Sequence, residues 1–313
     1  MKNHDFAIDE IDYHGFLESI EKKADKYQLQ TVKCNNCGTT STIDVTKTDN
    51  TCPYCADDLE IGRISEDAVI SPWGMVPFQL EAFKAKEIIR KALKKKWFKP
   101  LGFNARSLLL HHFQAVYIPF WTFDCKMKLG YVGKRGDEVR QGDTVITYWT
   151  DVTGNIDYFF DDIVVAASGK ATNDFIKGLA PWDLSGLEPY SLEKVSGAVV
   201  EKYQVDVKGG MALAEEKIHE AMELFIRTDI GGEMQEINRV WADYEGITFK
   251  HILLPVYTAA YQFRGKSYPL VVDGKTGKFF GKVPKSLIKI AMLSGVGLAA
   301  IVYLMYLFVT YLP

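Results

Sequence analysis

The stretch AVYIPFWTFDC, residues 115–125, carries Val116, Ile118, Phe120, Trp121 and Phe123 in close succession. Such β-branched and aromatic side chains fit a pleated, half-buried surface better than a helix. Runs of the same make-up recur as DTVITYWTDVTG (143–154), IDYFFDDIVVAAS (156–168), HILLPVYTAAYQF (251–263), KSYPLVVDG (266–274) and GKFFGKV (277–283). Glycine-containing turns separate them, and together they predict antiparallel strands. YIPFWTFDCKMKLGYVG and LLPVYTAAYQFRGKSYP share a pattern of apolar residue, proline, aromatic and alternating strand, which hints at two related hairpins.

Between the two β-rich blocks, ALAEEKIHEAMELFIRTDI (212–230) places Ile218, Met222, Phe225 and Ile226 on one helical face. Earlier, LEAFKAKEIIRKALKKKWF (80–98) lines up Phe83, Ile88, Ile89, Leu93 and Trp97, with Lys84, Lys86, Arg90, Lys91, Lys94, Lys95 and Lys96 crowding the remainder. Pro100 and Gly102 stop that helix. Its basic face suits anionic lipid, an acidic protein, nucleic acid or plain solvent. Near the N-terminus, Ile11, Phe16, Leu17 and Ile20 predict an amphipathic helix within 1–29. Residues 63–283 then read as one α+β body with antiparallel strands, or two sub-lobes of one.

Cys34, Cys37, Cys52 and Cys55 form C-x2-C-x14-C-x2-C. Two tight turns can present four thiolates to one tetrahedral ion at about 2.3 Å, and zinc is the expected metal. Gly38 and Pro53 suit the turns, and TTSTIDV between them has the make-up of a short strand, so residues 30–62 read as a zinc ribbon. Two redox pairs or four unrelated buried cysteines are the alternatives. With four sulfurs the shell is closed, so the metal is expected to hold the fold and not to activate water. The fifth cysteine, Cys125, stands apart, and the absence of a disulfide-rich pattern implies a reduced compartment.

The N-terminus lacks the basic start and apolar run of a signal peptide. Residues 290–313 carry no charged side chain; at about 1.5 Å per residue they would reach roughly 36 Å, enough for a bilayer core. A single transmembrane helix over 287–313 is therefore expected, preceded by Lys275, Lys278, Lys282, Lys285 and Lys289. The positive-inside rule would place the chain at the cell membrane with its bulk in the cytoplasm. Ala291, Gly295 and Ala299 repeat at the spacing that permits helix–helix contact, and hence an oligomer through the span.

Signatures of catalysis are missing. There is no GxSxG or GxGxxG; DGKTGK (273–278) lacks the spacing of a phosphate loop and reads as a turn; His111 and His112 have no HExxH context. Asp161 and Asp162 read as turn residues, since neighbours on a strand would face opposite ways. No histidine activates Cys125. The chain is not expected to be an enzyme.

The CxxC pairs together with VPF (76–78), KKWFKP (95–100), VYIPFWTFD (116–124), APWDL (180–184), EKYQV (201–205), LLPVY (253–257) and KSYPLVVDGKTGKFFGKVPKS (266–286) resemble a family of bacterial zinc-ribbon membrane proteins. Such proteins are often labelled primosomal-helicase-like or TFIIB-type zinc-finger proteins. Ala56 departs from the glycine those ribbons often carry in the second knuckle. Because some relatives are encoded beside phage-shock protein A, the resemblance implies an adaptor that recruits or scaffolds proteins at the inner membrane during envelope stress, with phage-shock protein A or other membrane scaffolds as partners. The alternative is a membrane-tethered nucleic-acid-binding ribbon linked to replication or transcription. Against it, residues 31–62 set Lys33 and Lys47 against Asp44, Asp49, Asp57, Asp58 and Glu60, and an acidic ribbon repels phosphate.

Overall fold

A computed structural model of the chain describes residues 10–19, 27–29, 31–42, 51–59, 67–95, 113–263, 266–281, 298, 300–305 and 308. Its strands are β1 (Ile11–Asp12), β2 (Tyr27–Leu29), β3 (Thr31–Lys33), β4 (Thr40–Thr42), β5 (Asp67–Val69), β6 (Gly74–Met75), β7 (Gln114–Gln141), β8 (Thr144–Ala166), β9 (Glu188–Pro189), β10 (Val199–Val200), β11 (Met234–Phe263), β12 (Lys266–Asp273) and β13 (Phe279–Gly281). The helices are α1 (Tyr13–Ser19), α2 (Ala82–Lys95), α3 (Lys170–Ile176) and α4 (Val207–Ile230).

Among the described residues, nine strands form one sheet curled as a half-barrel, with the path β10-β7-β11-β12-β13 and β8, β1, β6 and β9 attached to it. Strands β7 and β11 pair antiparallel from Gln114 opposite Thr258 to Gly136 opposite Met234. On the other edge of β7, β8 pairs antiparallel from Phe120 opposite Ala166 to Gln141 opposite Thr144. The side-chain period of two then sorts β7 into two faces. Trp121, Phe123, Cys125, Met127, Leu129 and Tyr131 pack toward α4; Val116, Ile118 and Phe120 belong to a second core with Ile176 and Leu179.

Helix α4 forms where the 3.6-residue pattern predicts it, and it is longer at its N-terminal end. Asp206 caps it by accepting from the Gly209 N–H at 2.8 Å, and Gly231, at φ 65°, ends it with its N–H on the Arg227 carbonyl. Met211, Ala214, Ile218, Met222, Ile226 and Ile230 are buried against the sheet. Each large side chain so buried contributes roughly 1.5–3 kcal/mol relative to exposure. In α2 the buried face is Ala85, Ile89 and Leu93, while Phe83 points away and is 61% exposed. Trp97 lies outside the described residues. In α1 only seven residues are helical, with Phe16 against Trp73 and Phe249.

Several expectations are corrected. The body is not a mixed α+β fold: it is dominated by the antiparallel sheet, with few helices. Two glycines taken as turn markers lie inside strands. A Cβ on Gly130 would meet the Trp241 indole at 2.3 Å, and one on Gly154 would meet the Tyr131 ring at 2.4 Å, so each glycine makes room for a cross-strand aromatic. The runs around Gly154 therefore fuse into the single 23-residue β8.

The expected transmembrane helix over 287–313 is likewise not found: no helix of the described residues is long and apolar enough to cross a membrane. The longest, α4, has 24 residues but carries Glu215, Glu216, Lys217, Glu220, Glu223 and Arg227. Residues 300–305 are a short helical piece, and Ala291, Gly295 and Ala299 lie outside the described residues. Of the lysines taken as flanks, Lys275 pairs with Asp183 at 2.9 Å and Lys278 donates to the Ala180 carbonyl, so both serve the body. The tail-anchored placement at the cell membrane, the single-span membrane contact and the oligomer through that span lose their basis with the helix.

Candidate metal centre

Strands β3 and β4 form a two-stranded ribbon, with Thr31 opposite Thr42 and Lys33 opposite Thr40. Cys34 and Cys37 lie in the turn between them. The Cys34 N–H donates to the Thr39 carbonyl at 2.8 Å, and the Gly38 N–H donates to the Cys34 carbonyl at 3.0 Å. The second turn repeats both bonds: Cys52 N–H to Asp57 carbonyl at 2.8 Å and Ala56 N–H to Cys52 carbonyl at 2.9 Å. Thr51 bridges Asp58 at its base. Two equivalent knuckles thus face each other.

The repeat explains the departure at Ala56. Gly38 has φ 75° and Ala56 has φ 63°, both left-handed. Glycine adopts that region freely, whereas a Cβ there costs roughly 1–2 kcal/mol. Ala56→Gly is therefore expected to stabilise the ribbon by about 0.5–1 kcal/mol, after allowance for the added freedom of the unfolded chain. Chemical denaturation followed through Tyr54 checks it; an unchanged or lowered midpoint would mean that the knuckle backbone relaxes around alanine.

The four sulfurs all lie within 4.8 Å of one another, with Cys34 to Cys55 and Cys37 to Cys52 both at 3.5 Å. A tetrahedral ion bound at about 2.3 Å needs sulfurs about 3.8 Å apart, so the donor set fits a metal ion. Cys34, Cys52 and Cys55 are buried, and Cys37 is partly exposed. Crowding makes the thiols share protons: hydrogen bonds from Cys37 and Cys55 lower the Cys52 pKa, while the bond with Cys52 raises that of Cys37. Four thiolates this close repel one another, and a divalent ion is what would let all four ionise. Thr39, itself buried, adds its hydroxyl at 3.0 Å from Cys37 and 3.4 Å from Cys52.

Tyr54, between the ligands of the second knuckle, fixes this cluster to the body. Its ring is fully buried and stacks on Phe175 of α3, with centroids 5.6 Å apart. Its hydroxyl faces the carboxyl of Glu201, whose Oε2 accepts from Ser168 Oγ at 3.1 Å. Burial pushes Glu201 up to about 8, so at neutral pH it keeps its proton and adds no charge beside the sulfurs. The exposed side of Cys37 borders a 580 Å³ cleft whose lining includes Lys33, Lys170, Thr40 and Gln204. Four thiolates around a divalent ion carry a net charge of −2, and two lysines in that cleft offset it.

Of the other residues singled out from sequence, those described sit in structural settings. Cys125 is buried in the core, where burial and then Asp124 push its thiol up to about 11, away from nucleophilic use. The DGKTGK segment is a turn, with the Gly277 N–H on the Asp273 carbonyl. His111 and His112 lie outside the described residues. Asp161 and Asp162 are in β8, not in a turn, and a register shift opposite Phe123 and Cys125 puts Asp162 at φ 52°. The irregularity gathers carboxylate oxygens of Asp124, Asp161 and Asp162 within 4.8 Å. Lys250 fills the gathering, 3.0 Å from Asp162, 3.4 Å from Asp124 and 3.3 Å from Glu10.

No family model matches the chain, and no solved structure does. The chain is similar to the uncharacterized protein YdjG of Bacillus subtilis (strain 168), 26% identical over 231 residues. That alignment covers 71% of this chain, which spans 66% of the relative's length. The relative's name carries no activity, ligand or partner.

Proposed function

We propose that the chain is a non-catalytic, protein-binding adaptor in which zinc, held by Cys34, Cys37, Cys52 and Cys55, clasps a ribbon to a half-barrel body. The observation that carries this reading is the four-sulfur set joined to a buried Tyr54 plug: the ligands leave no open coordination position, and the residue between them anchors the ribbon. Thiolate ligands and tetrahedral spacing favour zinc over the hard cations. The resemblance to zinc-ribbon proteins supports the same assignment.

A protein partner is favoured over nucleic acid by charge. The ribbon is acidic, and part of the basic face of α2 is engaged: Lys86 stands over the Phe113 ring at 4.7 Å and Lys91 pairs with Glu87 at 3.0 Å. Affinity for phosphate backbones depends on free Lys and Arg. The test is capture from lysate by the full chain and by Cys52→Ala, with mass spectrometry and a nucleic-acid assay at two salt concentrations. Recovery of the same protein by the wild type, and its loss with Cys52→Ala, is expected. Recovery of nucleic acid that falls steeply with salt, without such a protein, would overturn the reading.

A further inference from the structure

Strand β8 is paired on one edge only: among the described residues its ladder partner is β7, and on the other edge Lys217 of α4 donates to the Val164 carbonyl while no strand pairs with it. Open strands of globular proteins are normally shortened, or protected by lysine or proline. β8 runs 23 residues, and Thr144–Ala166 contains no Lys, Arg or Pro. It also exposes large apolar groups on both faces, among them Val145 at 54%, Tyr148 at 50%, Trp149 at 45% and Phe159 at 59%. Its charges are Asp151, Asp157, Asp161 and Asp162, the last two at the irregularity; the stretch before them, Thr144–Phe160, is a long edge rich in exposed apolar groups and can template another strand.

We propose that β8 pairs with β8 of a second copy of this chain, antiparallel about a two-fold axis through Val152. The choice of occupant comes from the sequence of the strand itself. A two-fold perpendicular to the sheet pairs residues of the same face, so the register can shift only in steps that keep parity. With Val152 opposite itself, the face toward α4 sets Ile156 against Tyr148 and Tyr158 against Ile146. The outer face sets Phe159 against Val145, Asp157 against Thr147 and Asp151 against Thr153. Val152, Ile156, Tyr158 and Phe159 meet apolar partners and each acid meets a neutral hydroxyl, while Trp149 faces Asn155 and Phe160 faces Thr144. Centring instead on Asp151 would oppose that acid to itself, and centring on Gly154 would oppose Asp151 to Asp157; centring on Thr153 would set Asp157 against Trp149. The favoured pairing runs from Thr144 to Phe160 and ends before Asp143 and Asp161 would meet.

The pairing can be read by the sign of one charge. Thr153 is exposed on the outer face, opposite Val132 of β7 and away from α4. In the dimer it faces Asp151 of the other copy, twice by symmetry. Thr153→Asp is expected to weaken dimerisation roughly fivefold to thirtyfold, and Thr153→Lys to strengthen it several-fold, from two cross-strand charge pairs. Sedimentation velocity of the full chain over a concentration series reads both. Independently, Val152→Cys is expected to give an oxidised, covalent dimer and Thr147→Cys not, since only residue 152 lies within disulfide reach of itself. A monomer at every concentration, or a dimer indifferent to residue 153, would overturn the proposal. A dimer weakened by both charges would overturn this register.

Discussion

Removing the metal, by strong chelation at neutral pH or by Cys52→Ala, is expected to unfold residues 31–59 while the nine-stranded sheet persists. Among the described residues the ribbon core is Val32, Cys34, Cys52, Tyr54, Cys55 and Leu59, too small to stand without its clasp. Apparent binding free energies of structural zinc are on the order of 10 kcal/mol or more at neutral pH, and that energy is folding energy for a site whose ligands are otherwise free. The sheet keeps separate cores around Trp121 and Phe120. Hydrogen exchange should show the protection of Cys34, Gly38, Cys52 and Ala56 amides collapsing on chelation, with β7 and β11 unchanged. Limited proteolysis should then cut near Tyr54. A ribbon that stays protected without metal would show that its packing on Phe175 suffices.

Replacing Lys250 by Met should cost about 3–5 kcal/mol at pH 7, the range found when one member of a buried ionic network is removed. Lys250 is 9% exposed at its side chain and Asp124 is 1% exposed, so the carboxylate left behind has little access to water. Burial works against the charge on Lys250, but the Asp162, Asp124 and Glu10 carboxylates outweigh it and raise its pKa. For Asp124, burial prevails and lifts the carboxyl to about 6 even with Lys250 beside it. A raised carboxyl contributes stability that is present below its unfolded value of 3.8 and is lost as pH rises through the folded value. Without Lys250 the folded value climbs further, so the deficit of Lys250→Met should be largest near pH 7 and shrink toward pH 5 as Asp124 takes up its proton. Urea denaturation at the two pH values measures this. A loss below about 1 kcal/mol at pH 7 would indicate water-screened charges of the surface kind.

Local chemistry was legible in the sequence where it depends on near neighbours. The CxxC spacing located all four sulfurs, and the aromatic and β-branched runs located strands. Helix α4 followed from its own periodicity. Strand length was not legible, because Gly130 and Gly154 punctuate the sequence like turns, and only the pairing partner shows that Trp241 and Tyr131 need the space. The rule that adjacent strand residues diverge separated Asp161 from Asp162, and the irregularity opposite Cys125 undid it. Glu10, Asp124, Asp162 and Lys250 come from distant points of the chain, so their meeting is a product of register. Hydrophobicity measures only the transfer preference of the apolar C-terminal run, and no helix of the described residues is long and apolar enough to cross a membrane. Tyr54, a large aromatic inside a knuckle, is the sequence signal of what the knuckle docks against.

The most direct measurement is the metal content of the full chain, purified without added metal, paired with titration of its thiols under native conditions. About one zinc per chain is expected, with Cys34, Cys37, Cys52 and Cys55 unreactive until the metal is removed. A folded, metal-free protein with those four thiols open to reagent would contradict it.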